Sequence, residues 1–174
     1  MIKFTAPRTV TFTRHPVYWD GLGGIAVQCE QSLELLNHWQ SLFVPDESQD
    51  TLPSFTAFAP AAIPKILPNL FLLERLSCGT DWKVRLAGTY IADILERDIT
   101  GLELQEIAFL DGYHDAYRAF CDGVVTGSTA VVGAGYKAGW AKSYQHFEVI
   151  HVPIQSRDEN AIWILGGVFP IARG

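Results

Sequence analysis

Five histidines and three cysteines are the residues of this 174-residue chain best suited to hold a metal, a haem or a reactive ligand. A metal ion needs several such donors at close spacing, so that one coordination sphere can meet them together. His146 and His151 stand five apart on a strand-like run, and an odd spacing on a strand sends two side chains to opposite faces. His114 lies one helical turn before Arg118, a common arrangement on a solvated helix face. Cys29, Cys78 and Cys121 are far apart, with no Cys-x-x-Cys pair, which reads as three separate buried thiols in a reducing compartment. No metal site is expected.

Catalytic machinery is equally hard to find. The chain has no Gly-x-Ser-x-Gly, no Gly-x-x-x-x-Gly-Lys and no His-Glu-x-x-His, so the expectation is that it is not an enzyme. The glycines at Gly21, Gly23 and Gly24 follow no strongly apolar strand and read as a turn, not a phosphate loop. Arg85 admits two uses. Its fork suits an anionic ligand, or it pairs with Asp98 or Glu96 as a latch between a strand and the helix that follows; the Arg85–Asp98 latch is favoured, because a ligand role needs an open pocket. An interior ligand site would be walled by Tyr90 or Ile91, Tyr113, Tyr117, Phe120 and Cys121, facing Tyr136 and His146. His146 enters this set by its parity with Ile150 and Val152. Aromatic walls with few polar tips fit a small, mostly apolar ligand, and they fit a filled core as well.

The elements that must position these residues follow from periodicity. Leu35, Leu36, Trp39, Leu42 and Phe43 make one apolar face of a helix over residues 30–44, stopped by Pro45. That face must cover the domain's own sheet or a second copy of the chain, and as a surface for a second copy it is the expected dimer interface. Pro53, Pro60, Pro64 and Pro68 then break the chain into short turns. Residues 70–76 and 82–87 read as a hairpin. Gly88 permits a sharp turn, Thr89 is placed to cap a short helix, and Ile91, Ile94 and Leu95 form its apolar stripe before the turn at Thr100-Gly101. A helix over 112–125 carries Tyr113, Tyr117, Phe120, Cys121 and Val124 inward, and strands over 129–138, 143–154 and 161–171 finish the chain. The order is that of an α+β fold: a five-stranded antiparallel sheet with helices inserted after its second strand and an extra N-terminal helix. Both sides of the last two strands look apolar, as they would if the leading helix covered the second face.

Hydrophobic residues make up 48% of the chain and charged ones 18%, enough apolar surface for one real core. The organisation expected is an N-terminal arm over 1–28, a helix and Pro-rich lead-in over 29–69, and a core over 70–174. A net charge of −6 disfavours nucleic acid and anionic membranes, whose binding rests on Lys and Arg. The apolar stretch 55–73 is broken by three prolines and Lys65, so no membrane span is expected, and the N-terminus lacks a continuous apolar leader. Cytoplasm is the expected location.

Three ordered motifs carry a resemblance: Ile63-Pro-Lys-Ile-Leu-Pro68, Arg85-Leu-Ala-Gly-Thr89 and Asp98-Ile-Thr-Gly101. With the order of elements from about residue 52 to 171, they make the chain resemble a family of small stand-alone PAS-domain proteins of alphaproteobacteria. Two departures stand out. The Arg and Asp such relatives carry upstream of Pro60 are here Phe55 and Ala57, and the small residue that ends their first core helix is here Glu96. Losing both members of an ion pair costs far less than losing one. The resemblance implies a PAS-like sensory or regulatory domain with no output domain attached, acting by small-ligand sensing or protein–protein interaction. Its expected partners are a second copy as a homodimer, an unidentified signalling protein and a small apolar ligand. No cofactor is indicated: the Asn-Cys-Arg-like stretch of flavin photoreceptors is missing, and no spaced cluster suits haem. The alternatives are a small cone-shaped α+β enzyme or ligand carrier, which would need an inward His-carboxylate dyad, and a structural adaptor with a filled core.

Overall fold

The computed structural model describes residues 2–3, 27, 29–43, 51–77, 79–107, 114–127, 130–138, 144–158 and 160–171. Most of the N-terminal arm expected over 1–28 lies outside them. Six strands form one antiparallel sheet in the order β1-β4-β5-β6-β2-β3. They are β1 (Ile2–Lys3), β2 (Leu70–Arg75), β3 (Trp82–Ala87), β4 (Val131–Ala138), β5 (Tyr144–Gln155) and β6 (Ile162–Ile171). The five long strands are those expected; β1 adds two residues along the outer edge of β4. Among the described residues three α-helices accompany the sheet: α1 (Glu30–Ser41), α2 (Thr89–Leu95) and α3 (His114–Gly127).

Strand alternation divides the interior into two cores. Leu70, Leu72, Ile150, Val152, Ile154, Trp163 and Leu165 face α1, whose Leu35, Leu36 and Trp39 close that side. Phe71, Leu73, Trp82, Val84, Phe147, Val149 and Ile164 face the other way, onto Ile91 of α2 and Cys121 and Val124 of α3. β5 and β6 are thus covered on both faces, which is why they read as apolar throughout.

The apolar face of α1 is spent inside its own chain. Leu35, Leu36 and Trp39 are 0%, 1% and 3% exposed, and the Trp39 indole N–H donates to the Pro153 carbonyl at 2.8 Å. Leu42 and Phe43 are half-buried against the same core. The dimer-interface assignment for Leu35, Leu36, Trp39, Leu42 and Phe43 is therefore corrected: burial on the sheet already satisfies the face that a second copy would need.

Smaller differences are local. The N-cap of α2 is Gly88, not Thr89, which becomes the first helical residue. The short turns of the Pro-rich segment include two 3-10 turns, Pro60–Ala62 and Leu67–Asn69. β3 is an edge strand, and segment 98–103 occupies its open side through Gly101 N–H to the Val84 carbonyl at 2.7 Å and Val84 N–H to Leu102 at 2.8 Å. Covering an edge in this way blocks further strand pairing there.

Candidate functional site

Alternation along β5 puts His151 on the α2/α3 side with Phe147 and Val149. It is 4% exposed. α3 brings Tyr117, one turn before Cys121, and Phe120 over it, and the Tyr117 hydroxyl lies 2.9 Å from His151 Nε2. Around the imidazole stand Phe71, Phe120 and Tyr117, edge to face at centroid distances of 5.1, 4.8 and 5.8 Å. Tyr117 and Phe120 stack on each other at 5.9 Å.

Gly166 makes this arrangement possible. It pairs with His151 on one side and with Phe71 on the other. A Cβ there would collide with the Phe71 ring and the Ile150 carbonyl, so only glycine leaves the two rings free to meet. Gly167 does the same on the opposite face, where the Phe169 ring takes the space. The glycine pair thus seats two phenylalanine rings, one on each face of the sheet.

Electrostatically the cluster is neutral. Burial pushes the His151 pKa down to about 3, because an imidazolium there would lose its water. The same loss of water pushes the Tyr117 phenol well up and the Cys121 thiol up, the thiol lying beside the Tyr117 hydroxyl. A thiol held protonated is a poor nucleophile. His151 Nδ1 is buried, and no described residue offers it a hydrogen bond. At the outer side of α3, Asp122 accepts from the Trp82 indole at 3.0 Å and pairs with Arg75 at 3.4 Å. Arg118 donates to the Thr80 carbonyl and pairs with Asp115. These contacts clamp α3 to the β2–β3 hairpin.

Of the expected ligand-site residues, Tyr117 and Cys121 are here together. Tyr90 is half-buried in the first turn of α2, its pKa raised by burial and by the nearby Cys29, which belongs to the α1-side core. Tyr113 lies outside the described residues. Tyr136 and His146 pair in the backbone register of β4 and β5, and their side chains lie outside the described ones. Among the described residues, His151 is the buried histidine on the α3 face.

Arg85 is corrected as well. Its guanidinium donates to Glu74 at 2.7 Å and lies 4.7 Å from the Trp163 ring centre, on the α1 side of the sheet. Asp98 instead accepts from the Thr100 N–H at 2.8 Å, which holds its carboxyl below the usual range. The side chain next in the hairpin reaches Arg85 before the later turn can.

A family model for the PAS domain matches residues 27–169. The chain belongs to the PAS domain family. As a PAS domain it is a sensory or regulatory module. No curated protein and no solved structure matches it. Among the described residues no helix is long and apolar enough to cross a membrane.

The motifs that mark this PAS domain are joints of its α2 corner. The Pro68 carbonyl sits where a Cβ of Gly88 would be, and Gly88 N–H donates to the Leu70 carbonyl at 2.8 Å, so the first two motifs meet. Thr100 of the third motif accepts from Ala87 N–H at 3.1 Å, and Gly101 takes a φ of +86° that favours glycine. Glu96 ends α2 in the left-handed region, φ +55°, so the turn keeps its shape without the small residue. At the Phe55 and Ala57 departure, Phe55 stacks on Phe58 at 5.7 Å and meets Trp163 edge-on at 5.4 Å. Aromatic packing holds Phe55 in place.

Proposed function

We propose that this PAS domain is a non-catalytic sensor whose signal enters at the His151–Tyr117 cluster and leaves through the packing of α1, read by a partner protein. One observation supports the reading above others: β5 serves both cores. Phe147, Val149 and His151 lie against the α3 side, while Ile150, Val152 and Ile154 lie under α1. Glu148, buried between them in sequence, accepts the Cys29 N–H at 3.2 Å where α1 begins, and the Pro153 carbonyl holds Trp39 near its end. A small shift of β5 under a ligand at His151 would therefore move both attachments of α1. Packed interiors transmit such shifts because they have little free volume to absorb them.

Hydrogen exchange on the full chain tests this. Tyr117→Phe removes a hydroxyl that touches His151 and does not touch α1. The expected outcome is altered exchange of the α1 amides with the β2–β3 hairpin unchanged. If exchange of α1 is the same in both proteins, β5 does not couple the two cores and the reading falls.

A further inference from the structure

Resting on the interior site just proposed, we infer that it takes a neutral, largely apolar molecule bearing a carbonyl-type oxygen, which accepts a hydrogen bond from His151 Nδ1–H. The direction of that bond follows from donor and acceptor strengths. Between a phenol and a neutral imidazole, the phenol O–H is the better donor and the bare ring nitrogen the better acceptor, so at 2.9 Å Tyr117 donates to Nε2. A ring nitrogen that accepts fixes the tautomer, and the proton sits on Nδ1. That N–H is buried, and no described residue accepts from it. A donor left without an acceptor in an apolar interior costs free energy, and a ligand oxygen would recover it.

The surroundings select against charge. Phe71, Phe120 and Tyr117 supply ring faces and edges, and no ion pair among the described residues reaches His151. The two guanidinium groups that pair with carboxylates of α3 are committed there, Arg75 to Asp122 and Arg118 to Asp115. A carboxylate would find no countercharge among the described residues, and an ammonium would have to compete with Trp82 and Arg75 for the carboxylate of Asp122. Burying an unpaired charge costs far more than one hydrogen bond returns.

The test uses four probes of one shape, acetophenone, ethylbenzene, benzoate and the 1-phenylethylammonium ion, titrated into the full-length protein. Binding is followed by the Nδ1–H resonance of His151 in ¹⁵N-labelled protein and by ligand-observed NMR. Acetophenone is expected to bind about fivefold more tightly than ethylbenzene, as one hydrogen bond implies, and to shift the Nδ1–H resonance. His151→Phe should bring the two affinities together; Tyr117→Phe, which frees Nε2, is the second variant if the first does not fold. Equal binding of ethylbenzene, tighter binding of either ion, or a proton found on Nε2 would overturn the carbonyl assignment while leaving an interior ligand site standing. No binding by any of the four, with no shift at His151, would overturn the interior site as well.

Discussion

The rings of Phe71 and His151 meet edge to face above Gly166, with 5.1 Å between centroids and 65° between planes. Three adjacent strands contribute one residue each, and the middle one has no side chain. Gly166→Ala should therefore be poorly tolerated, because its methyl group would enter the Phe71 ring and approach the Ile150 carbonyl, which as backbone cannot step aside. Overpacking of this kind costs about 1–3 kcal/mol. Urea unfolding would measure it; Phe71→Leu in the same chain should restore part of the loss.

Burial of His151 makes stability fall with acid. In the folded chain the imidazole stays neutral down to about pH 3, whereas unfolded it takes a proton near its ordinary value. The unfolded state therefore binds more protons as pH drops below about 6.5, and the folded state loses ground until pH approaches its own value. Between pH 7.5 and 5.5 this one group should remove about 1 kcal/mol. His151→Phe should flatten that part of the profile in urea titrations at the two pH values.

The second finding that bears on stability is the pairing of Arg85 with Glu74. Both side chains are partly exposed, so the pair should contribute about 0.5 kcal/mol, with a similar amount from the contact over Trp163. A double-mutant cycle should find coupling between Arg85 and Glu74 and none between Arg85 and Asp98. Coupling of the reverse pattern would restore the latch first expected.

Much of this fold was open to sequence reasoning, and the reasons are physical. Period-two and helical patterns placed the five long strands and the three described helices, because apolar residues recur at the period of each element. Glycines 88 and 101 marked their turns correctly, since close approach and positive φ leave few alternatives. The site was half legible. Tyr117 and Cys121 follow from the stripe of α3, but His151 needed the knowledge of which sheet face α3 covers, and parity along β5 cannot supply that. The Arg85 pairing was misread for a related cause: Asp98, Glu96 and Glu74 all carry carboxylates within reach in sequence, and only the three-dimensional hairpin puts Glu74 next to it.

Glu96 offers a prediction with the opposite sign. It closes α2 with φ +55°, a conformation in which a side chain with a Cβ is strained by about 1 kcal/mol. Arg97 N–H donates to the Ala92 carbonyl at 3.0 Å, the bond that such a left-handed cap exists to make, so the geometry is needed and the residue type is not. Glycine takes this conformation without strain and also removes an acid from the negative end of the helix. Its greater freedom in the unfolded chain offsets part of the gain. Glu96→Gly should therefore raise stability by about 0.5 kcal/mol in urea unfolding, leaving the midpoint slope unchanged. A loss of stability would mean that the contacts of the Glu96 side chain outweigh the strain of its backbone.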